Sequence, residues 1–290
     1  MNTEQMSCSS AKPADFDGEI ASLYNIISEN HRHPCGPWTL MLDKVKALGI
    51  EGHSDPVLVD IASGPGEPAL SIALMMPSVT VFSTDVSVDM HKAAAKKSIS
   101  VRNMKSMVVD AEDLSAFQSG SVDVVACCYG FMFPNDKVKC LSEVHRILKP
   151  GGALVATYWL DLVQVKVCKE IMVALNNTQV HHLIPLQSHV INPLSLSEPG
   201  LFESLAVQAG FNANSIDSVD SSYPFDFGSH ADSQYKMVTL PIKSQIDALG
   251  GQQVARQVYD DIIFEYAVLD SSTNSLILPN NTFIMATLIK

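Results

Sequence analysis

Residues Val57 to Ala69 read Val-Leu-Val-Asp-Ile-Ala-Ser-Gly-Pro-Gly-Glu-Pro-Ala, a short β-rich run, a glycine turn and the start of an apolar helix. A strand that feeds a helix through such a turn is the first half of a βαβ unit, and it commits the chain to a largely parallel sheet covered by helices. The rhythm that follows agrees. Val57 to Ile61, Val79 to Ser83, Met107 to Val109, Val122 to Cys128 and Leu154 to Tyr158 are β-rich runs separated by helical stretches. The run Val122 to Cys128 is almost continuously apolar, as a strand buried on both faces must be. Val138, Leu141, Val144 and Ile147 share one face of a helix over Lys137 to Leu148, stopped by Pro150-Gly151-Gly152.

Two helices are expected before the first strand. Phe16, Ile20, Tyr24 and Ile27 recur at helical spacing, and Trp38, Met41, Leu42, Val45 and Leu48 do so behind Pro37. After Leu160 the rhythm breaks into a helix over Val163 to Leu175 and a stretch rich in Pro and His, which reads as a lid or insertion. A helix over Leu201 to Ala209, strand-like segments at Ile216 to Val219 and Tyr223 to Phe227, a helix over Gln252 to Leu269 and a final run Thr282 to Ile289 complete the chain. The last run is expected to close the sheet as an antiparallel strand near an edge.

Composition narrows the function classes. Apolar types make up 47% of the 290 residues and charged types 17%, enough for a large core. The net charge of −12, with no basic run, disfavours nucleic acid as a partner. No run approaches a membrane span, and Met1 to Lys12 lacks the apolar core of a signal peptide, so a soluble cytoplasmic protein is expected. Six scattered cysteines without a CxxC pair signal neither a zinc ribbon nor a disulfide framework. Nothing in the sequence indicates an oligomer.

The chemistry concentrates on the first turn. Gly64, Gly66 and Ala69 satisfy the spacing G-x-G-x-x-G/A, and Asp85 follows about 20 residues on, where a carboxylate takes ribose hydroxyls. Read by the glycines alone, this is a site for a nicotinamide dinucleotide. Asp60 and Glu67 oppose that, because they place carboxylates on both sides of a loop that would receive a pyrophosphate. Such a loop suits a ligand with a cationic end.

Asp60-Ile61-Ala62-Ser63-Gly64-Pro65-Gly66 resembles motif I of class I S-adenosylmethionine-dependent methyltransferases. Three further segments match in order: Ser83-Thr84-Asp85-Val86-Ser87, Asp110-Ala111-Glu112-Asp113-Leu114, and His145-Arg146-Ile147-Leu148-Lys149-Pro150-Gly151-Gly152. The wording Gly-Glu-Pro-Ala and Phe-Met-Phe-Pro is similar to the ubiquinone/menaquinone-type small-molecule group. The resemblance implies a Rossmann-like, mostly parallel seven-stranded sheet with flanking helices and a helical lid. It divides the chain into a helical cap (1–50), a donor-binding core (51–160), a lid or substrate insertion (161–200) and the remainder of the core (201–290).

By that resemblance the ligand is S-adenosyl-L-methionine, leaving as S-adenosyl-L-homocysteine, and the partner is a small-molecule methyl acceptor. Tyr24, Asp60, Ala62, Gly64 and Gly66 would hold the methionine end, Asp85 and Val86 the ribose, and Asp110, Ala111 and Glu112 the adenine. Cys127 would offer backbone rather than sulfur, and Tyr129 and Phe131 would wall the sulfonium. The acceptor pocket is expected between Trp38, Tyr129, Met132, Trp159 and the loop His181 to His189. Methyl transfer asks mainly for alignment and needs a base only for some acceptors; the candidate bases are His31, His33, His181, His182 and His189, with Tyr129 beside them. The histidine and cysteine spacings match no structural zinc pattern, so no metal is expected. Two alternatives stay open: a nicotinamide-linked oxidoreductase using the same glycines, and a catalytically silent binding protein of the same fold.

Overall fold

Strand β1 (Val57–Ile61) lies between β2 (Thr80–Asp85) and β4 (Val122–Cys128), parallel to both. The computed structural model describes Tyr24 and residues 28–178, 192–228, 231–239, 242–273 and 275–290. Beyond these strands it contains β3 (Met104–Val108), β5 (Leu148–Asp161), β6 (Ile216–Gly228), β7 (Val268–Asp270) and β8 (Ser275–Ile289). Their order is β3-β2-β1-β4-β5-β8-β6, and β7 pairs with β8. The chain winds from β1 outward to β3 and then returns to place β4 on the other side of β1. That reversal opens a crevice at the carboxyl ends of β1 and β4, where open α/β sheets hold ligands.

The helices are α1 (Pro37–Ala47), α2 (Ala69–Met75), α3 (Val88–Lys97), α4 (Lys137–Ile147), α5 (Val163–Thr178), α6 (Leu201–Gln208), α7 (Ala231–Thr239), α8 (Lys243–Ala248) and α9 (Gln252–Tyr266). Alternation along the strands sorts two apolar layers. Leu58, Val124 and Val155 pack with Met41 and Val45 of α1 and Ile72 of α2. Val59, Val125 and Leu154 pack with Leu141, Val144 and Ile147 of α4 and Phe202 of α6. Each such side chain contributes about 1.5–3 kcal/mol by leaving water, and together the layers clamp the strand ends that carry the site.

Asp123 is the charged residue within the apolar run of β4, and it is buried. It accepts from Lys149 Nζ (2.7 Å) and from the Val57 backbone N–H (2.8 Å), and it pairs with His53 Nδ1 (2.8 Å). These partners hold its carboxyl below the usual range against the opposing effect of burial. The cluster ties β1 and β4 together at the end of the sheet opposite the crevice.

Several expectations shift. The second strand runs to Asp85 rather than Ser83, and the third occupies Met104–Val108 rather than Met107 to Val109. The helix before β5 ends at Ile147, and pairing with β4 resumes already at Leu148, with a register shift between Val122 and Val124 absorbing Pro150-Gly151-Gly152. The two segments near 216 and 223 form one strand, β6, whose register against β8 slips at Pro224, a residue without a backbone N–H. The helix expected to reach Leu269 ends at Tyr266, and Val268–Asp270 forms β7, paired antiparallel with β8 (Asp270↔Ser275), so among the described residues the sheet has eight strands rather than seven. β8 lies antiparallel between β5 and β6, as an antiparallel final strand was expected to do near an edge. The first expected helix, apart from Tyr24, lies outside the described residues. Among the described residues no helix is long and apolar enough to cross a membrane.

Candidate active site

The loop after β1 is built around Asp60. Its side chain is fully buried, and Oδ2 accepts from Ser63 Oγ (2.7 Å) and from the Ala69 backbone N–H (3.2 Å). Oδ1 is buried and has no hydrogen-bond partner among the described residues. Burial pushes the carboxyl up to about 7, against the two hydrogen bonds and with the help of the charges on Glu67 and Asp85. A buried acceptor left open in this way is suited to a cationic donor, which would draw the group to its ionised form.

The turn has left-handed backbone at Ala62 (φ 51°), Gly64 (φ 55°) and Gly66 (φ 97°). The two glycines have different neighbours. A Cβ on Gly66 would lie 2.9 Å from Ala94 Cβ, so this position lets the loop sit against α3, while one on Gly64 would lie 3.5 Å from Tyr24 Cε1. The Tyr24 ring therefore covers the loop, near enough to Asp85 and Asp60 that their charges add to burial in raising its hydroxyl pKa.

Asp85 ends β2 and faces the same turn. Its Oδ2 accepts from Gly64 N–H (2.8 Å) and its Oδ1 from Ser87 N–H (2.9 Å), while Ser87 itself caps α3 by accepting from Met90 N–H (3.2 Å). The carboxylate thus braces the glycine loop. Val86 beside it is exposed. Asp110 is exposed and its Oδ1 accepts from Glu112 N–H (2.8 Å). Ala111 packs against the second apolar layer, and Glu112 Oε1 accepts from the N–H groups of Asn135 (2.6 Å) and Asp136 (3.1 Å). The third motif is therefore anchored to the loop that follows β4.

Glu67 does not leave an open charge on the loop, as the sequence reading assumed. Its side chain is 1% exposed and pairs with Arg32, so the electrostatic case against a pyrophosphate rests on Asp60. Cys127 and Cys128 are buried, and burial raises both thiols, which keeps them protonated at neutral pH. A Cβ on Gly130 would meet Cys127 Sγ at 2.6 Å and Ala62 Cβ at 2.7 Å, which brings the ends of β1 and β4 together. Tyr129, the next strand end, also has left-handed backbone (φ 58°).

Next to the glycine loop lies an aromatic cluster centred on His31. The ring centroids of Trp38, Tyr129, Tyr223 and Phe225 lie 5.4, 5.2, 5.9 and 6.0 Å from that of His31, and that of Trp159 lies 6.2 Å away. Tyr129 and Trp159 stack at 4.0 Å with planes 7° apart. Met132 packs against the same apolar layer. His31 is buried, which lowers its pKa to about 3 and keeps it neutral, and its Nδ1 is hydrogen-bonded to the Tyr223 hydroxyl at 2.7 Å. A second contact, 3.4 Å, links the hydroxyls of Tyr223 and Tyr129. His33 accepts from Cys35 N–H (3.1 Å) in the following turn. His181, His182 and His189 lie outside the described residues.

Tyr223, Phe225 and Arg32 are the members that sequence reasoning did not place here. Tyr223 stands 192 residues from its partner His31, and no local pattern connects them.

Residues 59–156 match a family described as methyltransferase domain. Residues 59–156 form a methyltransferase domain. The chain is 31% identical over 140 residues to the demethylmenaquinone methyltransferase of Chlorobaculum tepidum, covering 47% of this chain and 54% of that protein. It is also 31% identical over 115 residues to the ubiquinone/menaquinone biosynthesis C-methyltransferase UbiE of a Geobacter species, covering 38% and 48%. The chain thus matches about half the length of these relatives. Among solved structures, the YcgJ protein of Bacillus subtilis superposes with a TM-score of 0.52 at 18% identity, over 87% of this chain and 97% of that one. The phosphoethanolamine N-methyltransferase 2 of Haemonchus contortus, solved with phosphomonomethylethanolamine and S-adenosylhomocysteine, superposes at 0.53 with 17% identity, over 93% and 57%. These two likenesses establish the fold, and the methyltransferase domain spans its parallel strands, from β1 into β5.

Proposed function

We propose that the protein transfers the methyl group of S-adenosylmethionine to a small-molecule acceptor. The observation that carries this reading is the buried Oδ1 of Asp60 at the glycine loop, which has no hydrogen-bond partner among the described residues. When bound, the donor supplies a carbon already activated by a sulfonium. In this reading Asp60 receives the ammonium, Tyr24 lies toward the donor carboxylate, Gly64 and Ala62 allow close backbone approach, Asp85 takes the ribose hydroxyls beside Val86, and Asp110 with Ala111 holds the adenine edge. Tyr129 closes the crevice on the acceptor side and excludes water. The residues named do not include a nucleophile, because an in-line displacement asks the protein to align two reactants.

The His31 cluster supports an acceptor pocket walled by Trp38, Tyr129 and Trp159, with Met132 at its margin. Since burial makes His31 a weak base and its Nδ1 is already bonded to Tyr223, its part in this reading is orientation rather than proton abstraction. The names of the relatives favour a quinone-like acceptor. The helical cap, the lid over 161–200 and a cytoplasmic setting belong to the same proposal. Calorimetric titration with S-adenosylhomocysteine, with NAD and NADH as controls, tests it. Saturable binding of S-adenosylhomocysteine alone is expected; binding of NADH instead would return the site to an oxidoreductase, and no binding to a silent fold.

A further inference from the structure

The 3-10 turn Ser28–Arg32 is attached on both sides of the crevice. On the β6 side, Asn30 Oδ1 accepts from the Asp226 N–H (2.7 Å), Asn30 Nδ2 donates to the Asp226 carbonyl (3.3 Å), and His31 bonds Tyr223. On the loop side, Arg32 Nη2 pairs with Glu67 Oε1 (2.5 Å), Nη1 donates to Ser71 Oγ (3.2 Å) and Nε pairs with Glu29 (2.7 Å). The guanidinium also sits 4.9 Å from the centre of the Trp38 ring.

The pair is unequal. Arg32 keeps 43% of its side chain exposed, whereas Glu67 keeps 1%, and Glu67 is also bound by Ser71 N–H (3.1 Å) and Ser71 Oγ (2.8 Å) at the start of α2. Glu67 follows Gly66 directly, so its placement is inseparable from the course of the glycine loop. Removing the guanidinium takes from a buried carboxylate its directly paired counter-charge and leaves only the longer-range charge of Lys97, which favours proton uptake or a swing toward water. Either change alters the contacts of the residue that directly follows Gly66 in the loop.

We propose that Arg32 is a positioning residue for the methyl-donor site, which through Glu67 holds the turn Ser28–Arg32 across the crevice and keeps the glycine loop in its binding geometry. This rests on the methyl-donor reading given above. The turn is then the mechanical link between the donor loop and the aromatic cluster, since His31 and Arg32 are adjacent and reach opposite sides.

The test uses the full chain and two readouts. S-adenosylhomocysteine is titrated calorimetrically into wild type, Arg32→Met, Arg32→Lys and Glu67→Gln, and amide hydrogen exchange over residues 28–36 is followed in each protein without ligand. Arg32→Met is expected to weaken binding about tenfold, equivalent to about 1.4 kcal/mol, with faster exchange across the turn and an unchanged exchange pattern in β4. Arg32→Lys is expected to recover most of the affinity, which a general packing defect would not allow. Should Arg32→Met fail to fold, Glu67→Gln reports the same link with the Ser71 contacts retained. Unchanged affinity in the folded variants overturns the proposal. If wild type itself binds no S-adenosylhomocysteine, the methyl-donor reading fails, and the role assigned to Arg32 in the donor site fails with it; the exchange data then show separately whether the ion pair holds the turn.

Discussion

His31 Nδ1 and the Tyr223 hydroxyl are joined by a 2.7 Å hydrogen bond inside a shell of aromatic rings, and this one contact pins the segment before α1 to β6 at the far edge of the sheet. Removing the hydroxyl in Tyr223→Phe leaves a buried imidazole nitrogen unsatisfied. The expected cost is about 1–3 kcal/mol of stability, read from urea unfolding, with the β-sheet signature of circular dichroism unchanged.

The same burial makes His31 an acid-sensitive element. Its pKa falls from 6.5 to about 3 on folding, so below 6.5 the unfolded chain takes up a proton that the folded protein refuses. The stabilisation is fully present above pH 6.5 and is lost as pH falls toward 3, by up to about 1.4 kcal/mol per pH unit. His31→Gln should flatten this slope by about one proton in unfolding curves taken between about pH 4 and 6.5.

Asp60 works in the opposite sense. Its carboxyl rises from 3.8 to about 7 on folding, so between these values the folded protein keeps a proton that the unfolded chain has lost. Stability from this group is present below pH 3.8, declines as pH rises through 7, and is then constant. Asp60→Asn should therefore be more stable than wild type at pH 8, while its affinity for S-adenosylhomocysteine drops by about 10- to 100-fold, the range for a lost charged hydrogen bond. In wild type, donor affinity should rise as Asp60 ionises and decline again once the ligand's amine loses its proton, at about pH 7.7–8.0.

Asp85 accepts from Gly64 and Ser87 before any ligand arrives. Asp85→Ala should consequently show two deficits: a loss of about 1–2 kcal/mol in thermal unfolding from the freed N–H groups, and at least about tenfold weaker binding of S-adenosylhomocysteine. Unchanged affinity would remove Asp85 from the ribose assignment.

The two glycines of the loop should separate by phenotype. At Gly66, φ of 97° and a 2.9 Å approach to Ala94 Cβ make Gly66→Ala destabilising by about 1–3 kcal/mol. Gly64→Ala meets only Tyr24 Cε1 at 3.5 Å, so it should lower donor affinity with a smaller loss of melting temperature, about half that of Gly66→Ala.

Local pattern was sufficient for the βαβ core. β1 and β4 fall on the residues that β-propensity and continuous apolar character marked, because those strands are buried on both faces and their chemistry repeats over consecutive positions. Boundaries were less legible where pairing overrides propensity: Pro150-Gly151-Gly152 lies inside the paired run of β5, and Val268–Asp270 becomes a strand because β8 offers it an edge. The glycine turn with Gly64, Gly66 and Asp85 was legible from spacing, since a turn between a strand and a helix is a local object, while the donor contacts proposed for Asp60 and Asp110 came from the family resemblance.

Tertiary structure alone decided which charges and hydroxyls face one another. Arg32 neutralising Glu67, Tyr223 engaging His31, and Gly130 admitting the close approach of Ala62 and Cys127 all join segments distant in sequence. The residue types at these positions are ordinary for exposed turns or strand faces. What gives them a role is the packing of the sheet, which brings the turn at 28–32, the glycine loop and the end of β6 to the carboxyl end of β1 and β4. A sequence determines the periodicities that make strands and helices; low-dielectric burial and charge pairing arise only after those elements have packed.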